Sequence, residues 1–172
     1  VEHNFKSVFS GFEHVKRYWD RQREIVVAKI LPGEFYVTKQ NESISTVLGS
    51  CISACIYDAK MGVGGMNHFM LPIKAGHADD FTDALSCRYG NWAMEFLINE
   101  VLKNGGSKQN LRVKLFGGGK IISSMTDVGE GNIRFASQYL KQEGLVIESH
   151  DVGGPWPRKV LFNPTTGKAH VK

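Results

Sequence analysis

No apolar run in this chain of 172 residues approaches the roughly 18 that a helix needs to cross a bilayer. The N-terminus also lacks the basic, apolar and small-residue segments that follow one another in a secretory leader. Cysteine is scarce: three cannot all pair within one chain, which favours free thiols, a reducing compartment and a cytoplasmic protein. Concentrated charge is missing too. The 21 Lys and Arg exceed the 17 Asp and Glu by only four and are scattered, without a basic block of the nucleic-acid-binding kind. So mild an excess steers a protein towards acidic partners, for which an acidic protein surface is at least as good a candidate as a nucleic acid. There is no internal repeat and no low-complexity linker. A hydrophobic content of 42% is enough to build one domain's core.

The segments that remain read as mixed secondary structure. In residues 5–24, Phe5, Val8, Phe9, Phe12, Val15, Tyr18 and Trp19 recur at spacings of three and four, which predicts a helical extension over 1–24, weakened by Gly11. "IVVAKILPGEFYVTK" predicts strand, Pro32-Gly33 turn, strand. "SISTVLGSCISACIYD" continues as a strand interrupted at Gly49, and "VGGMNHFMLP" as a short strand stopped by Pro72. From Phe81 to Lys103 the period becomes helical, with Trp92, Phe96, Leu97 and Val101 on one face and Asn104-Gly105-Gly106 as the stop. "LRVKLFGGG" is a strand running into three glycines, and a short helix is expected over 133–143. "LVIESHDVGG" and "RKVLFNPTTGKAHVK" supply the last strands, the final two joined by a Pro-Thr-Thr-Gly turn. The expected class is α+β, a single domain over 25–172 with a mixed sheet system.

Chemistry centres on "TVLGSCISACIYD". A reactive cysteine needs a base and amides aimed at the developing oxyanion. In this stretch Gly49 permits a turn that exposes the amides of Ser50 and Cys51. If "CISACIYD" and "VGGMNHFM" form a hairpin about "AKMG", His68 lies across from Cys51 as its base. The alternative for Cys51 is a small buried hydrophobe. A zinc site from Cys51, Cys55 and His68 is a poor fit. Along a strand the two sulfurs lie roughly 13 Å apart at about 3.3 Å per residue, against bonds of about 2.3 Å to one metal. Cys55 is better read as core. His3, His14, His77 and His170 lie near the termini or in a polar loop, and His150 is structural or partner-facing. "FGGGK" lacks phosphate-loop spacing and reads as a tight turn that lets backbone approach the site.

These motifs occur in a familiar order. "LGSCISACIYD", "GGMNHFMLP", "KLFGGG" and "DVGGPWPRKVLFNPTTGKAHV" resemble the CheD family, the chemoreceptor glutamine deamidases of bacterial chemotaxis, from about Ile25 to Val171. The resemblance implies a mixed β-sandwich flanked by helices, with a Cys-His-Thr site similar to that of the cytotoxic necrotizing factor toxins. It places the nucleophile on Cys51 and the base on His68. For the third member it offers Ser45, six residues before the cysteine, or Thr46, five before; Thr46 is preferred because the family residue is Thr. The implied activity is protein-glutamine glutaminase without metal or organic cofactor. The implied partners are the cytoplasmic domain of a methyl-accepting chemotaxis receptor and a CheC-type phosphatase, with no nucleic acid and no membrane insertion. Pro155, Trp156 and Pro157 depart from the family's glycine-rich and basic loop. The competing class is a non-catalytic adaptor for the same partners.

Overall fold

The computed structural model describes residues 5–72, 84–121 and 128–172. His3 and His77 lie outside them. Two five-stranded mixed sheets carry the fold, and the strands are numbered in chain order. The first has the order β1 (Lys16–Asp20), β2 (Ile25–Lys29), β4 (Glu42–Leu48), β9 (Arg158–Phe162), β10 (Ala169–Val171). The second has the order β3 (Phe35–Thr38), β6 (Val63–Asn67), β5 (Ile52–Asp58), β7 (Arg112–Gly117), β8 (Val146–Val152). Pairing is antiparallel except for β2 with β4 and β7 with β8. Helices α1 (Ala84–Lys103) and α2 (Val128–Gln142) lie against the second sheet. None of the described helices is long and apolar enough to span a membrane.

The second sheet is therefore covered on both faces, which is why every residue of β5 is buried. Phe69, bridged to Ile52, meets Phe135 of α2 edge-on at 6.4 Å, so Ile52, Ala54 and Ile56 face the helices. Tyr57 packs on Phe162 of the first sheet at 5.7 Å, so Ser53, Cys55 and Tyr57 face the space between the sheets. On β4 the same alternation sends Ile44, Thr46 and Leu48 inward and leaves Val47 58% exposed on the outer side. The α+β sandwich flanked by helices is thus the observed class.

Several local expectations change. The stripe in residues 5–24 is not a helix. Phe12 N–H bonds Phe9 O and Val15 N–H bonds Phe12 O, two tight turns after which the chain enters β1 as an antiparallel partner of β2. Turns and strand alternation together reproduce a three-and-four spacing, and Gly11 at φ 99° permits the bend. The segments around Pro32-Gly33 are both strands but belong to different sheets, because the turn carries the chain from one layer to the other. In α1 the buried side is Met94, Leu97, Ile98 and Val101, while Trp92 and Phe96 are nearly half exposed. Helix α2 starts at Val128, five residues before the expected 133. Gly129 and Gly131 look like breakers in sequence, yet a Cβ on Gly129 would overlap the Gly118 carbonyl, so this glycine serves close packing inside a helix.

Candidate active site

The crossing from β4 to β5 takes the chain from one sheet to the other in three residues, Gly49, Ser50 and Cys51. Each carbonyl of this crossing is held. Gly119 N–H bonds Gly49 O at 2.9 Å, Asn132 Nδ2 bonds Ser50 O at 2.8 Å, and Gly118 N–H bonds Cys51 O at 2.7 Å. In a trans peptide the N–H points opposite to the carbonyl. The amides of Ser50 and Cys51 are thereby turned away from the glycine loop and α2. They are fixed donors of the kind that stabilise an oxyanion. Asn132, fully buried on α2, also accepts from Leu71 N–H at 2.9 Å, so one side chain ties the crossing to the segment after His68.

His68 follows β6 and is clamped through its backbone. Its N–H bonds Glu34 O at 3.0 Å and its carbonyl accepts from Gly33 N–H at 2.8 Å. The hairpin of β5 and β6 forms as expected, but the bridge is Ile52 with Phe69. That register sets His68 beside Ser53 and diagonal to Cys51, not directly across from it, with both on the inter-sheet face. No hydrogen bond joins Cys51 and His68 in this resting geometry.

The imidazole reaches across the sandwich to the first sheet, where Thr46 Oγ1 lies 2.7 Å from Nδ1 and 2.9 Å from Ile30 O. A carbonyl can only accept, so the hydroxyl hydrogen goes to Ile30 O and Nδ1–H must donate to Oγ1. Nε2 is left as the lone-pair nitrogen. It is buried and has no hydrogen-bond partner among the described residues. An unmet buried acceptor costs about 1–3 kcal/mol, which marks this nitrogen as a candidate base. Ser45, the alternative third residue, points to the other side of β4 and cannot reach the ring. Thr46→Val is expected to lower turnover about 10²-fold by releasing the tautomer, whereas Thr46→Ser retains most of it. A steady-state comparison of the two, with the pH profile of each, checks this.

Burial moves both titrations. It lifts the Cys51 thiol above its ordinary value and drives His68 down to about 4. Both shifts favour a thiol and a neutral imidazole over an ion pair at neutral pH. Alkylation of Cys51 by iodoacetamide should therefore rise about tenfold per pH unit through neutrality. A plateau between pH 5 and 7, the mark of a thiolate–imidazolium pair, should be absent.

Two features escape sequence reasoning. Arg158 is buried, donates from Nη1 to Gly117 O at 2.6 Å and from Nη2 to Gly153 O, and stands 3.6 Å from Asp151. It braces the glycine loop under Cys51. A buried arginine flanked by Pro157 and Lys159 reads in sequence as one more surface cation, and the bridging role of Asn132 has no motif at all. No cluster of His, Cys, Asp or Glu among the described residues could hold a metal. Cys55 sits fully buried in the core.

Comparison with known proteins adds to this geometry. Residues 70–172, more than half of the chain, match the family model CheD, described as CheD chemotactic sensory transduction. Proteins named "Probable chemoreceptor glutamine deamidase CheD" are similar over most of its length. That of Halorhodospira halophila is 55% identical, covering 94% of this chain and 76% of its own. Those of Hahella chejuensis and Saccharophagus degradans are 53% and 48% identical, covering 94% and 97% of this chain and 76% and 79% of theirs. A crystal structure of a Neisseria meningitidis protein of family model DUF152 superposes at a TM-score of 0.41 and 11% identity, covering 72% of this chain and 52% of that one. That likeness is too slight to bear on function. On the family match and the extent of these identities, the chain belongs to the CheD family.

Proposed function

We propose that this chain deamidates glutamine side chains of chemoreceptors, with Cys51 as nucleophile, His68 as base and Thr46 as the residue that orients it. The reading draws its reaction class from the names of the relatives and its assignment of roles from one observation, the buried unpaired Nε2 of a histidine whose other nitrogen is held by Thr46. Nε2 takes the thiol proton as sulfur attacks the carboxamide carbon, and the amides of Ser50 and Cys51 receive the oxyanion. The imidazolium returns its proton to the departing nitrogen, the C–N bond breaks, and ammonia leaves a γ-glutamyl thioester. Water gives a proton to the same Nε2 and adds to the thioester. The C–S bond then breaks, sulfur regains the proton, and glutamate remains. The receptor gains one negative charge per turnover.

The test is ammonia release from a purified receptor cytoplasmic fragment, with mass spectrometry of the about one-dalton shift from Gln to Glu. Cys51→Ala serves as the inactive comparison. A silent wild type on several receptor fragments, or an equally active Cys51→Ala, sinks the reading. An adaptor that holds the receptor or a CheC-type phosphatase without chemistry then becomes the leading account.

A further inference from the structure

The outer face of the first sheet, turned away from the core, carries a concentration of cations that the linear sequence hides. Cross-strand register draws one row over all five strands: Lys16 opposite Lys29, Lys29 opposite Ser45, Ser45 opposite Leu161, Leu161 opposite His170. On one side of this row Lys159 lies opposite Val47 and exchanges both backbone hydrogen bonds with Lys172. On the other side Lys168 is bonded through its carbonyl to Asn163 N–H. Each of these lysines, and His170, is exposed. Arg23, Lys168 and His170 rim a groove of about 410 Å³ floored by Ser43 and Leu161. The carboxylates at this face are few: Asp20, tied to Arg23 at 3.0 Å, and Glu24 in the turn between β1 and β2.

Strands about 4.8 Å apart give a field some 20 Å wide, in which lysines from distant parts of the chain sum to one positive surface. Its Val47 and Lys159 side runs along β4 and β9 directly into the Gly49–Cys51 crossing. We propose that this face is the docking surface for an acidic segment of the protein substrate, holding it so that a neighbouring glutamine reaches Cys51. The proposal rests on the deamidase reading for the identity of that substrate. A protein is favoured over a nucleic acid because the field leads to a thiol suited to a carboxamide.

The test combines Lys29→Glu, Lys159→Glu and Lys168→Glu, none of which touches the candidate active site. Two substrates are compared, a receptor cytoplasmic fragment and a short uncharged glutamine peptide, and receptor affinity is measured alongside by calorimetry. For the receptor fragment, KM and the dissociation constant should each rise about tenfold with turnover number unchanged. Activity on the peptide should be preserved, and high salt should bring wild type towards the variant. Unchanged receptor KM and affinity would overturn the proposal, as would loss of duplex DNA retention with receptor kinetics intact, which would assign the face to nucleic acid. A wild type that releases no ammonia, yet binds receptor tightly only with its lysines intact, would overturn the deamidase reading and leave the docking face standing.

Discussion

Cys51→Ala should abolish ammonia release, a fall on the order of 10⁴ or more in turnover, and leave the fold as it is. The half-buried thiol makes no side-chain hydrogen bond that the fold depends on, and alanine fills the start of the same side chain. The fall for His68→Gln should be on the order of 10²–10⁴, because the thiol then has to ionise unaided in a site that lifts its pKa. The double variant should be no worse than Cys51→Ala alone, since both residues act in one step. Single-turnover ammonia release together with thermal melts would check all three. A His68→Gln chain with wild-type turnover would remove the imidazole from the mechanism.

Gly117→Ala should cost more than a methyl group ordinarily does. Gly117 stands at φ 106°, outside the range that side chains adopt, and a Cβ there would overlap the Cys51 carbonyl oxygen, which is backbone and cannot swing aside. The crossing would have to move, and with it the sulfur and the amides of Ser50 and Cys51. A displacement near 1 Å is enough for about a 10²-fold loss of turnover. A fall in stability of about 1–3 kcal/mol should accompany it. Gly144→Ala is the control: its φ of 70° is also one that side chains rarely adopt, but nothing lies within 4 Å of the new carbon. That variant should lose stability and keep its turnover. Equal turnover in the two alanine variants would show that the glycine loop does not position Cys51.

The candidate site residues were legible because they are local. Gly49-Ser50-Cys51 is a turn before an apolar strand, His68 follows a glycine-led strand, and a four-residue turn between them makes a hairpin in any fold. The relation of Cys51 to His68 was less so. The expected opposition misses by two residues, since counting about residues 59–62 pairs Asp58 with Val63, Ile52 with Phe69 and hence Ser53 with His68; Asn67, whose side-chain oxygen takes Ala54 N–H at 2.8 Å, holds that register. The stripe in residues 5–24 misled for a physical reason. Apolar residues at three-and-four spacing bury equally well from tight turns followed by a strand, and Gly11 chose the latter.

By itself, the sequence determined the hairpin, the end of α1 at Asn104-Gly105-Gly106, the turn between β9 and β10, and the residue types able to perform acyl transfer. Those depend on backbone freedom and on neighbours a few residues away. Tertiary structure alone decided that Thr46 and not Ser45 faces the imidazole, because that depends on which side of β4 the second sheet covers. It also recruited Asn132 and Arg158 to brace the crossing and gathered scattered lysines onto one face. Each of these is a contact between residues far apart in the chain, set by how the two sheets and α2 pack, a choice that no local pattern encodes.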